Sequence, residues 1–285
     1  MLEIATTRDE LRAILGAEAA GYVPTMGALH QGHISLIERA VRENARTVVS
    51  LFVNPKQFGD PADLVRYPRD RERDFAAISA SGATVIFSPR ELEIYPPGFE
   101  TTIEVTSLSR RWEGAARPGH FRGVATVVTL LLSLVRPARA YFGEKDFQQL
   151  RVIQRLHADL GLPGSIVPCP TVRDSDGLAL SSRNARLSAL ARRQAVAIPR
   201  ALFTMRDLAD SGEREIAPLI AAGSQEVAKS DLLTLDYLTV VDPSTLEPIP
   251  TVVPGARALI AVSVEGLRLI DNLALLEPLS AHLSG

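Results

Sequence analysis

Cysteine, lysine and net charge are all scarce in this 285-residue chain, and each scarcity excludes a class of protein. The single cysteine, Cys169, permits no internal disulfide and no cysteine-rich zinc site, and it fits a reducing compartment. Because 31 Lys and Arg nearly balance 33 Asp and Glu, the chain has no global basic field for binding a polyanion. Lysine is the rarest cation, since only Lys56, Lys145 and Lys229 occur beside 28 Arg.

Long hydrophobic runs are also missing. The longest apolar stretch is the 13 residues between Arg122 and Arg136, which include Gly123, two Thr and one Ser. A membrane-spanning helix needs about 20 apolar residues, so we expect a buried helix there. Residues 1–12 carry acids and no apolar segment of signal-peptide length. At 46% hydrophobic residues the chain is too apolar for disorder, and we expect a soluble, cytoplasmic protein with no membrane or nucleic-acid partner.

Short apolar runs alternate with helical patterns over the first part of the chain. A strand is predicted to end at 22–24, and further strands at 47–53, 83–87, 138–142 and 165–167 alternate with helices at 35–45, 69–81, 124–135 and 147–160. This alternation is typical of a Rossmann-like, doubly wound parallel sheet with helices on both faces.

The pattern changes after Thr171. Helices are predicted at 189–209 and 216–228, and strands at 235–241, 258–264 and 267–270. We therefore predict an α/β protein of two domains, a Rossmann-like domain over 1–173 and a smaller α+β domain over 174–285.

The most informative motif is Pro24–His33 (PTMGALHQGH), which follows a predicted strand and precedes a predicted helix. His30 and His33 lie three apart, on one side of a helical first turn, and Gly27 and Gly32 permit close approach of a ligand to the backbone. The helix start is expected to offer unpaired N–H groups and a positive dipole end. The motif predicts a phosphate site with two imidazole donors, suited to nucleotidyl transfer. Two polar histidines in a loop are the structural alternative.

Lys145 is a second candidate for phosphate chemistry. In GEKD, residues 143–146, it comes just after a predicted strand, at the edge where open parallel sheets bind ligands. A lysine there is a compact, mobile charge that can follow a phosphate during displacement. A solvated charge cluster at a helix start is the alternative. Lys56 lies in another motif, NPKQF, whereas Lys229 has no role that we can name.

Five further motifs, in order along the chain, carry a resemblance to a known family. They are FVNPKQF at 52–58, YPRD at 67–70, RPGHFRGV at 117–124, YFGEKDFQQL at 141–150 and LSSRN at 180–184. H-x-G-H resembles the signature of nucleotidylyltransferases and class I aminoacyl-tRNA synthetases, and the ordered set resembles the pantoate–β-alanine ligase family. The resemblance is strong between Tyr22 and Asn184 and continues weakly through LDYLTVVDP at 235–243.

The resemblance implies a two-step ligation that consumes ATP. The carboxylate of pantoate attacks the α-phosphorus, which gives pantoyl adenylate and pyrophosphate, and the amine of β-alanine then displaces AMP to give pantothenate. His30, His33 and Lys145 are the implied catalytic residues, with His33 as the family's proton donor. The resemblance also implies a homodimer, Mg²⁺ that arrives with ATP, and no tightly bound organic cofactor. It assigns the binding of ATP and pantoate to a catalytic domain over 1–173 and the role of a lid to the domain over 174–285.

Binding residues follow from motif position. The implied ATP-binding residues are Met26, Gly27, Ala28, Leu29, His30, Gln31, Gly32, His33, Gly143, Glu144, Lys145, Asp146, Val172, Leu180, Ser181, Ser182 and Arg183. Among them, Asp146 would accept from the ribose and Val172 would contact adenine through its backbone. Residues 181–183 would grip the leaving pyrophosphate as a mobile loop resembling KMSKS, although SSRN also resembles a capped helix start. Many relatives carry Met where this chain has Leu180.

The two small substrates require placed polar groups. Gln57 and Gln149 are the implied contacts to pantoate, and Gln57 also lies where β-alanine would bind. Pro24 and Met26 are expected to pack against the pantoate methyl groups. Asn54, Tyr67 and Arg117 are further candidates at matching motif positions.

One departure and several alternatives accompany this interpretation. Some family members carry acids after YPRD that have been linked to magnesium, whereas this chain reads RERD at 71–74. This argues against a protein ligand for Mg²⁺ there and leaves the metal to phosphates and waters. The alternatives are another H-x-G-H nucleotidylyltransferase and a non-catalytic nucleotide sensor. A tRNA-charging enzyme is disfavoured by the chain's size and acidic balance.

Overall fold

The computed structural model describes residues 2–59 and 61–277, and it divides the chain into two compact units, Met1–Thr171 and Val172–Gly285. The predicted boundary, between residues 173 and 174, lies two residues from this division.

The first unit alternates strands and helices. Its strands are β1 (Glu3–Ala5), β2 (Gly21–Thr25), β3 (Thr47–Leu51), β4 (Val85–Phe87), β5 (Arg139–Gly143) and β6 (Ser165–Cys169). Its helices are α1 (Arg8–Leu15), α2 (Gln31–Glu43), α3 (Pro61–Arg66), α4 (Arg71–Ala80), α5 (Glu91–Ile94), α6 (Glu113–Ala116), α7 (His120–Val135) and α8 (Phe147–Asp159), with 3₁₀ turns at Pro55–Gln57 and Glu144–Asp146.

The six strands form one parallel sheet in the order β1-β4-β3-β2-β5-β6. From β2 the chain builds outward through β3 and β4 on one side and through β5 and β6 on the other, so β2 and β5 flank the topological switch point. The predicted doubly wound α/β fold is confirmed. The apolar runs at 47–53 and 83–87 were read correctly as strands, because strands buried on both faces carry no polar alternation.

The packing of α2 illustrates how the helices cover the sheet. Leu36, Ile37 and Ala40 follow helical spacing and are buried against Val23 and Val49 of the sheet. On α7 most side chains are buried, as expected from the apolar stretch before Arg136. Within residues 2–59 and 61–277, no helix has both the length and the apolar character needed to cross a membrane.

The sequence interpretation missed β1 and α1. A three-residue edge strand gives too short an apolar run to recognise. The start of α1, however, carries a readable signal, because the Thr7 side chain accepts from the Glu10 amide and the Glu10 carboxylate accepts from the Thr7 amide. This is a capping box of the S/T-x-x-E type.

The second unit is smaller and mixed. Its helices are α9 (Ala189–Gln194), α10 (Ala197–Asp210) and α11 (Ile216–Ala228), after a 3₁₀ turn at Ser182–Arg186. Its strands β7 (Thr234–Val241), β8 (Arg257–Val264) and β9 (Leu267–Ala274) form an antiparallel sheet against which α10 and α11 pack.

Two predicted boundaries in this unit are wrong. The single helix predicted at 189–209 is two helices, because the ring of Pro199 cannot sit beside the carbonyl of Ala195 in a continuous helix, so Pro199 lies in the first turn of α10. The strand predicted to end at residue 270 continues to Ala274. Its polar residues are buried with partners: Asp271 pairs with Arg173 at 2.6 Å, and Asn272 accepts from Arg257.

Candidate functional site

A crevice opens at the switch point of the parallel sheet. Strands β2 and β3 pair along all five residues of β2, whereas β2 and β5 pair only at Gly21–Arg139 and Tyr22–Ala140. The two central strands therefore diverge toward their carboxyl ends. Ligands of open α/β sheets bind in such a crevice, and the segments that follow β2, β3 and β5 meet the sheet at this edge.

The turn after β2 is held by a buried carboxylate. Asp74, on α4, is 4% exposed, and its two oxygens accept from the backbone amides of Ala28 and Leu29, each at 2.9 Å. A side chain at Gly27 would place its Cβ 2.7 Å from Asp74 Oδ2, and Ala28 adopts a φ of 53°. Only a residue without a Cβ fits between the turn and the carboxylate.

His30 and His33 cap the start of α2 reciprocally. The Nδ1 of His30 accepts from the Gly32 amide at 3.1 Å, and the Nδ1 of His33 accepts from the His30 amide at 3.3 Å. Their rings lie 4.1 Å apart, centroid to centroid. Since a neutral imidazole carries one proton, both rings must carry it on Nε2. The H-x-G-H spacing thus builds a histidine version of a capping box and leaves two Nε2–H donors.

Both imidazoles are held neutral. Burial lowers the pKa of His33 to about 3, with a further decrease from His30 and Lys145 and an opposing effect of Asp146. Burial likewise lowers the pKa of His30, and the Lys145 charge adds to the decrease. Protonation would also place a second N–H against each donating backbone amide. The pair therefore presents hydrogen-bond donors without charge.

The start of α2 offers fewer unpaired N–H groups than expected. The Gly32 amide binds His30 Nδ1, and the His33 amide binds the His30 carbonyl. The turn before the helix likewise has two of its amides bound by Asp74. Any anion at this edge would therefore meet imidazole Nε2–H groups rather than a row of free amides.

Lys145 supplies the positive charge of the site. It lies in the 3₁₀ turn that joins β5 to α8, and its ammonium group is 3.9 Å from Asp146. Its side chain is 17% exposed, and its charge acts on the pKa of both histidines. Because it follows β5 while His30 follows β2, the ammonium and imidazole groups approach the crevice from opposite strands.

The turn after β3 carries Gln57. Asn54 Nδ2 donates to Gln57 Oε1 at 3.0 Å and to the Gly123 carbonyl at 3.1 Å, and both Asn54 and Gln57 are buried. The Gln57 amide nitrogen lies 2.9 Å from Met26 Sδ, which brings the turns after β3 and β2 together. With its oxygen engaged by Asn54, Gln57 presents its NH₂ group at the sheet edge.

Arg117 and His120 hold the backbone of the same turn. His120 Nδ1 lies 2.9 Å from the Gln57 carbonyl and must donate to it, so its Nε2 accepts from Arg117 at 3.2 Å. A Cβ at Gly123 would overlap the Lys56 carbonyl, so α7 reaches the turn only because residue 123 is glycine. Tyr67, another candidate, donates to the Gly27 carbonyl at 3.4 Å.

The adjacent glutamines 148 and 149 have different roles. Gln148 is buried and fully bonded, accepting from Glu113 and donating to the Leu108 and Arg111 carbonyls. Gln149 is half-buried, and its amide makes no hydrogen bond to any residue in 2–59 or 61–277. Gln149 is therefore the one with a free amide, as its predicted contact to pantoate requires.

The remaining predicted ATP-binding residues belong to the second unit. Val172 accepts from the Leu180 amide at 3.0 Å, which closes the loop before the SSRN motif. Ser181 accepts from the Arg183 amide at 3.2 Å and caps the 3₁₀ turn, and Asn184 donates to the Ala179 carbonyl. The structural alternative for SSRN, a capped helix start, is present. The Ser181 and Ser182 hydroxyls and the Arg183 guanidinium remain candidates for binding phosphate.

The donor set does not fit a magnesium ion held by the protein. Among the residues that the structure describes, no three His, Cys, Asp or Glu side chains are grouped to hold a metal. Asp74, the buried acid after YPRD, instead gives both oxygens to backbone amides.

A doubly wound sheet whose switch-point crevice is lined by two neutral imidazoles and an ammonium group defines an α/β protein built to bind a phosphorylated ligand. The family model described as pantoate-beta-alanine ligase matches residues 2–274. The chain belongs to this family, which confirms the resemblance seen in the five motifs.

Individual relatives agree along nearly their whole length. The pantothenate synthetase of Thermus thermophilus is 51% identical over 269 residues, which is 94% of this chain and 97% of that protein. Its crystal structure matches with a TM-score of 0.94 at 50% identity, covering 96% of this chain and all of that one. A pantoate–β-alanine ligase from Francisella tularensis, complexed with beta-gamma ATP and β-alanine, matches with a TM-score of 0.81 at 34% identity, covering 96% and 98%.

Sequence reasoning missed the supporting roles of Asp74 and His120. Asp74 carried a usable signal, since it stands four residues before buried Ile78 on the same face of α4, where an acid needs a partner. His120 sits in RPGHFRGV, yet nothing in that motif shows that its partner is the Gln57 carbonyl.

We expect Asp74→Asn to loosen the turn after β2. The substitution turns one acceptor oxygen into an NH₂ group facing a backbone N–H, so Ala28 or Leu29 loses its partner. A lost hydrogen bond to a charged group is worth about 1.5–3 kcal/mol, so amide exchange of residues 28 and 29 should accelerate at least about tenfold. Hydrogen-exchange NMR measures this. Asp159→Asn, which removes an exposed carboxylate paired with Arg155, is the control, and unchanged exchange in Asp74→Asn would contradict the clamp.

The imidazole of His33 should stay neutral in the ligand-free protein from pH 8 to pH 5. Its pKa is about 3, whereas an unfolded chain titrates near 6.5. The unfolded state binds more protons below pH 6.5, so this residue removes about 1 kcal/mol of stability between pH 6.5 and 5.5 and none above the unfolded pKa. NMR titration, with His33→Gln identifying the signal, measures it. A midpoint above pH 5 would refute the capped, neutral form.

Proposed function

We propose that this protein ligates (R)-pantoate and β-alanine to pantothenate, consuming ATP and releasing AMP and pyrophosphate through a pantoyl-adenylate intermediate. The observation that carries the proposal is the meeting of H-x-G-H imidazoles, Lys145 and the Gln57 amide at one sheet edge, in a chain of the pantoate–β-alanine ligase family. The Francisella tularensis relative, which is complexed with beta-gamma ATP and β-alanine, supports ATP and β-alanine as ligands.

In the first step, a pantoate carboxylate oxygen forms a bond to the α-phosphorus, and the bond to the pyrophosphate oxygen breaks. The two Nε2–H groups donate to phosphate oxygens on which negative charge grows, and the Lys145 ammonium follows the leaving pyrophosphate. Bound phosphate would raise the pKa of His33, so His33 would then hold a proton near the reacting oxygens. Residues 26–29, Gln31, Gly32, Gly143, Glu144 and Asp146 would shape the nucleotide site around these donors.

In the second step, the β-alanine amine attacks the acyl carbon and AMP leaves. Gln57 and Gln149 hold pantoate for both steps through neutral amides, which bind hydroxyl groups without trapping the carboxylate in an ion pair. Gln57 presents NH₂ and Gln149 an unengaged amide. The half-buried Pro24 and Met26 supply apolar surface for the methyl groups.

We assign the second unit, with Val172 and Leu180–Arg183, the role of a lid. Val172 would contact adenine by its backbone, and Ser181, Ser182 and Arg183 would grip pyrophosphate. This rests on motif position in the family. Crystals with and without ATP should differ in the order of residues 180–184, and identical loops in the two forms would refute the lid.

Magnesium, oligomeric state and location complete the proposal. Mg²⁺ would be held by the ATP phosphates and water, because the protein offers no grouped ligands for it among the described residues. From the family resemblance we infer a homodimer, and from composition a cytoplasmic location.

A ligation assay separates this function from its alternatives. The protein is incubated with ATP and Mg²⁺, with pantoate and β-alanine together or singly, and AMP, pyrophosphate and pantothenate are measured. We expect pantothenate, and AMP in equal amount, only with both substrates. AMP release that does not require pantoate would indicate another nucleotidylyltransferase, and ATP binding without turnover would indicate a sensor.

In the same assay, His33→Ala should lower the rate of pantothenate formation about 100-fold or more, as for removal of a transition-state donor. The control His157→Ala, on the far part of α8, should keep the wild-type rate.

A further inference from the structure

We propose that Tyr95 is a positioning residue for pantoate, acting through Asn54 on the amide of Gln57. The inference rests on the proposed function, because it assigns a means of orienting the side chain that would hold that substrate. Tyr95 caps the carboxyl end of α5 and lies outside all the motifs that carry the family resemblance.

The contacts form an unbroken relay. The Tyr95 hydroxyl donates to Asn54 Oδ1 at 2.7 Å, and Asn54 Nδ2 donates to Gln57 Oε1 at 3.0 Å. Tyr95 is 7% exposed and Asn54 is 1% exposed, so water does not replace these bonds. The relay joins the segment after β4 to the turn after β3.

The direction of each bond follows from the chemistry of the groups. The Gly123 carbonyl can only accept and the Lys56 amide can only donate, and both contact Asn54, which therefore turns its NH₂ toward Gly123 and its oxygen toward Lys56. The Lys56 bond is long, at 3.3 Å, so the Tyr95 hydroxyl is the shorter partner of that oxygen. Asn54 then engages the oxygen of Gln57, which leaves the Gln57 NH₂ group to face the substrate side.

The ring of Tyr95 is fixed independently of its hydroxyl. It packs against Phe52 and Phe99, at centroid separations of 6.1 and 5.1 Å, and the Lys56 ammonium lies 4.8 Å from its centre. Burial raises the pKa of Tyr95, with a smaller contribution from Glu91, so the hydroxyl keeps its proton at neutral pH. Removing only the oxygen atom should leave the ring in place.

Without that hydroxyl, a buried amide oxygen retains only its long bond to Lys56. Asn54 keeps its bond to the Gly123 carbonyl but gains freedom to tilt, so its bond to Gln57 Oε1 weakens and the Gln57 amide is held less firmly. An interaction with pantoate that forms equally in the ground and transition states would weaken, which raises KM more than it lowers kcat.

Tyr95→Phe tests the relay. We expect the KM for pantoate to rise about tenfold, as for loss of one hydrogen bond to a buried acceptor, while kcat changes less than about threefold and the KM for ATP stays at its wild-type value. Tyr22→Phe is the matched control, since it removes a buried hydroxyl bonded to Ser50 at 2.7 Å in the sheet. A pantoate KM in Tyr95→Phe within about twofold of wild type, well below that tenfold expectation, would overturn the proposal.

A second readout does not depend on turnover. In ¹⁵N NMR of the ligand-free protein, the side-chain amide signals of Asn54 and Gln57 should shift and exchange faster in Tyr95→Phe and keep their positions in Tyr22→Phe. Unshifted signals in Tyr95→Phe would also overturn the relay. If wild-type protein formed no pantothenate, the proposed function would fail, and these amide signals would by themselves decide whether Tyr95 orders Gln57.

Discussion

The carboxyl edge of the sheet depends on one buried carboxylate. Asp74 binds the amides of Ala28 and Leu29, and those bonds set the path by which the chain leaves β2 and begins α2. The position of His30 as the cap of α2 follows from that path, and with it the direction of both imidazoles. Both oxygens of this carboxylate bind the backbone, so its charge fixes the turn. Asp74 therefore lies beside the candidate phosphate site, but both of its oxygens are already hydrogen-bonded to the protein.

The turn after β3, which carries Gln57, is supported by a different helix, α7. Helix α7 approaches the turn after β3 so closely that residue 123 must lack a side chain, and His120 at its start holds the Gln57 carbonyl. The imidazoles of α2 and the amide of Gln57 thus rest on different supports. The two turns touch where the Gln57 amide contacts Met26 of the turn after β2. The carboxyl edge of a parallel sheet suits a site built from several segments, because the turns that follow its rigid strands all lie along that edge.

The sequence predicted features that depend on local patterns. Buried strands such as β3 appear as continuous apolar runs, and the H-x-G-H spacing indicated that His30 and His33 share one side of a helix start. Features that depend on partners distant in the chain could not be predicted from local patterns. The pairing of Asp271 with Arg173 extends β9 beyond its apolar run, and Asp74 reaches amides 45 residues or more away in the chain. The start of α2 has fewer open amides than its sequence indicated for a different reason, because His30 accepts hydrogen bonds from the amides of Gly32 and His33.

The reciprocal bonding of the two histidines has a consequence for genetics and protein engineering. Each imidazole uses one nitrogen to secure the helix start that carries the other, so neither can be exchanged without altering its neighbour. Energetic effects at such a pair are coupled and do not add. A substitution at either position therefore removes an Nε2–H donor and also one of the hydrogen bonds that cap the start of α2 and orient the other imidazole.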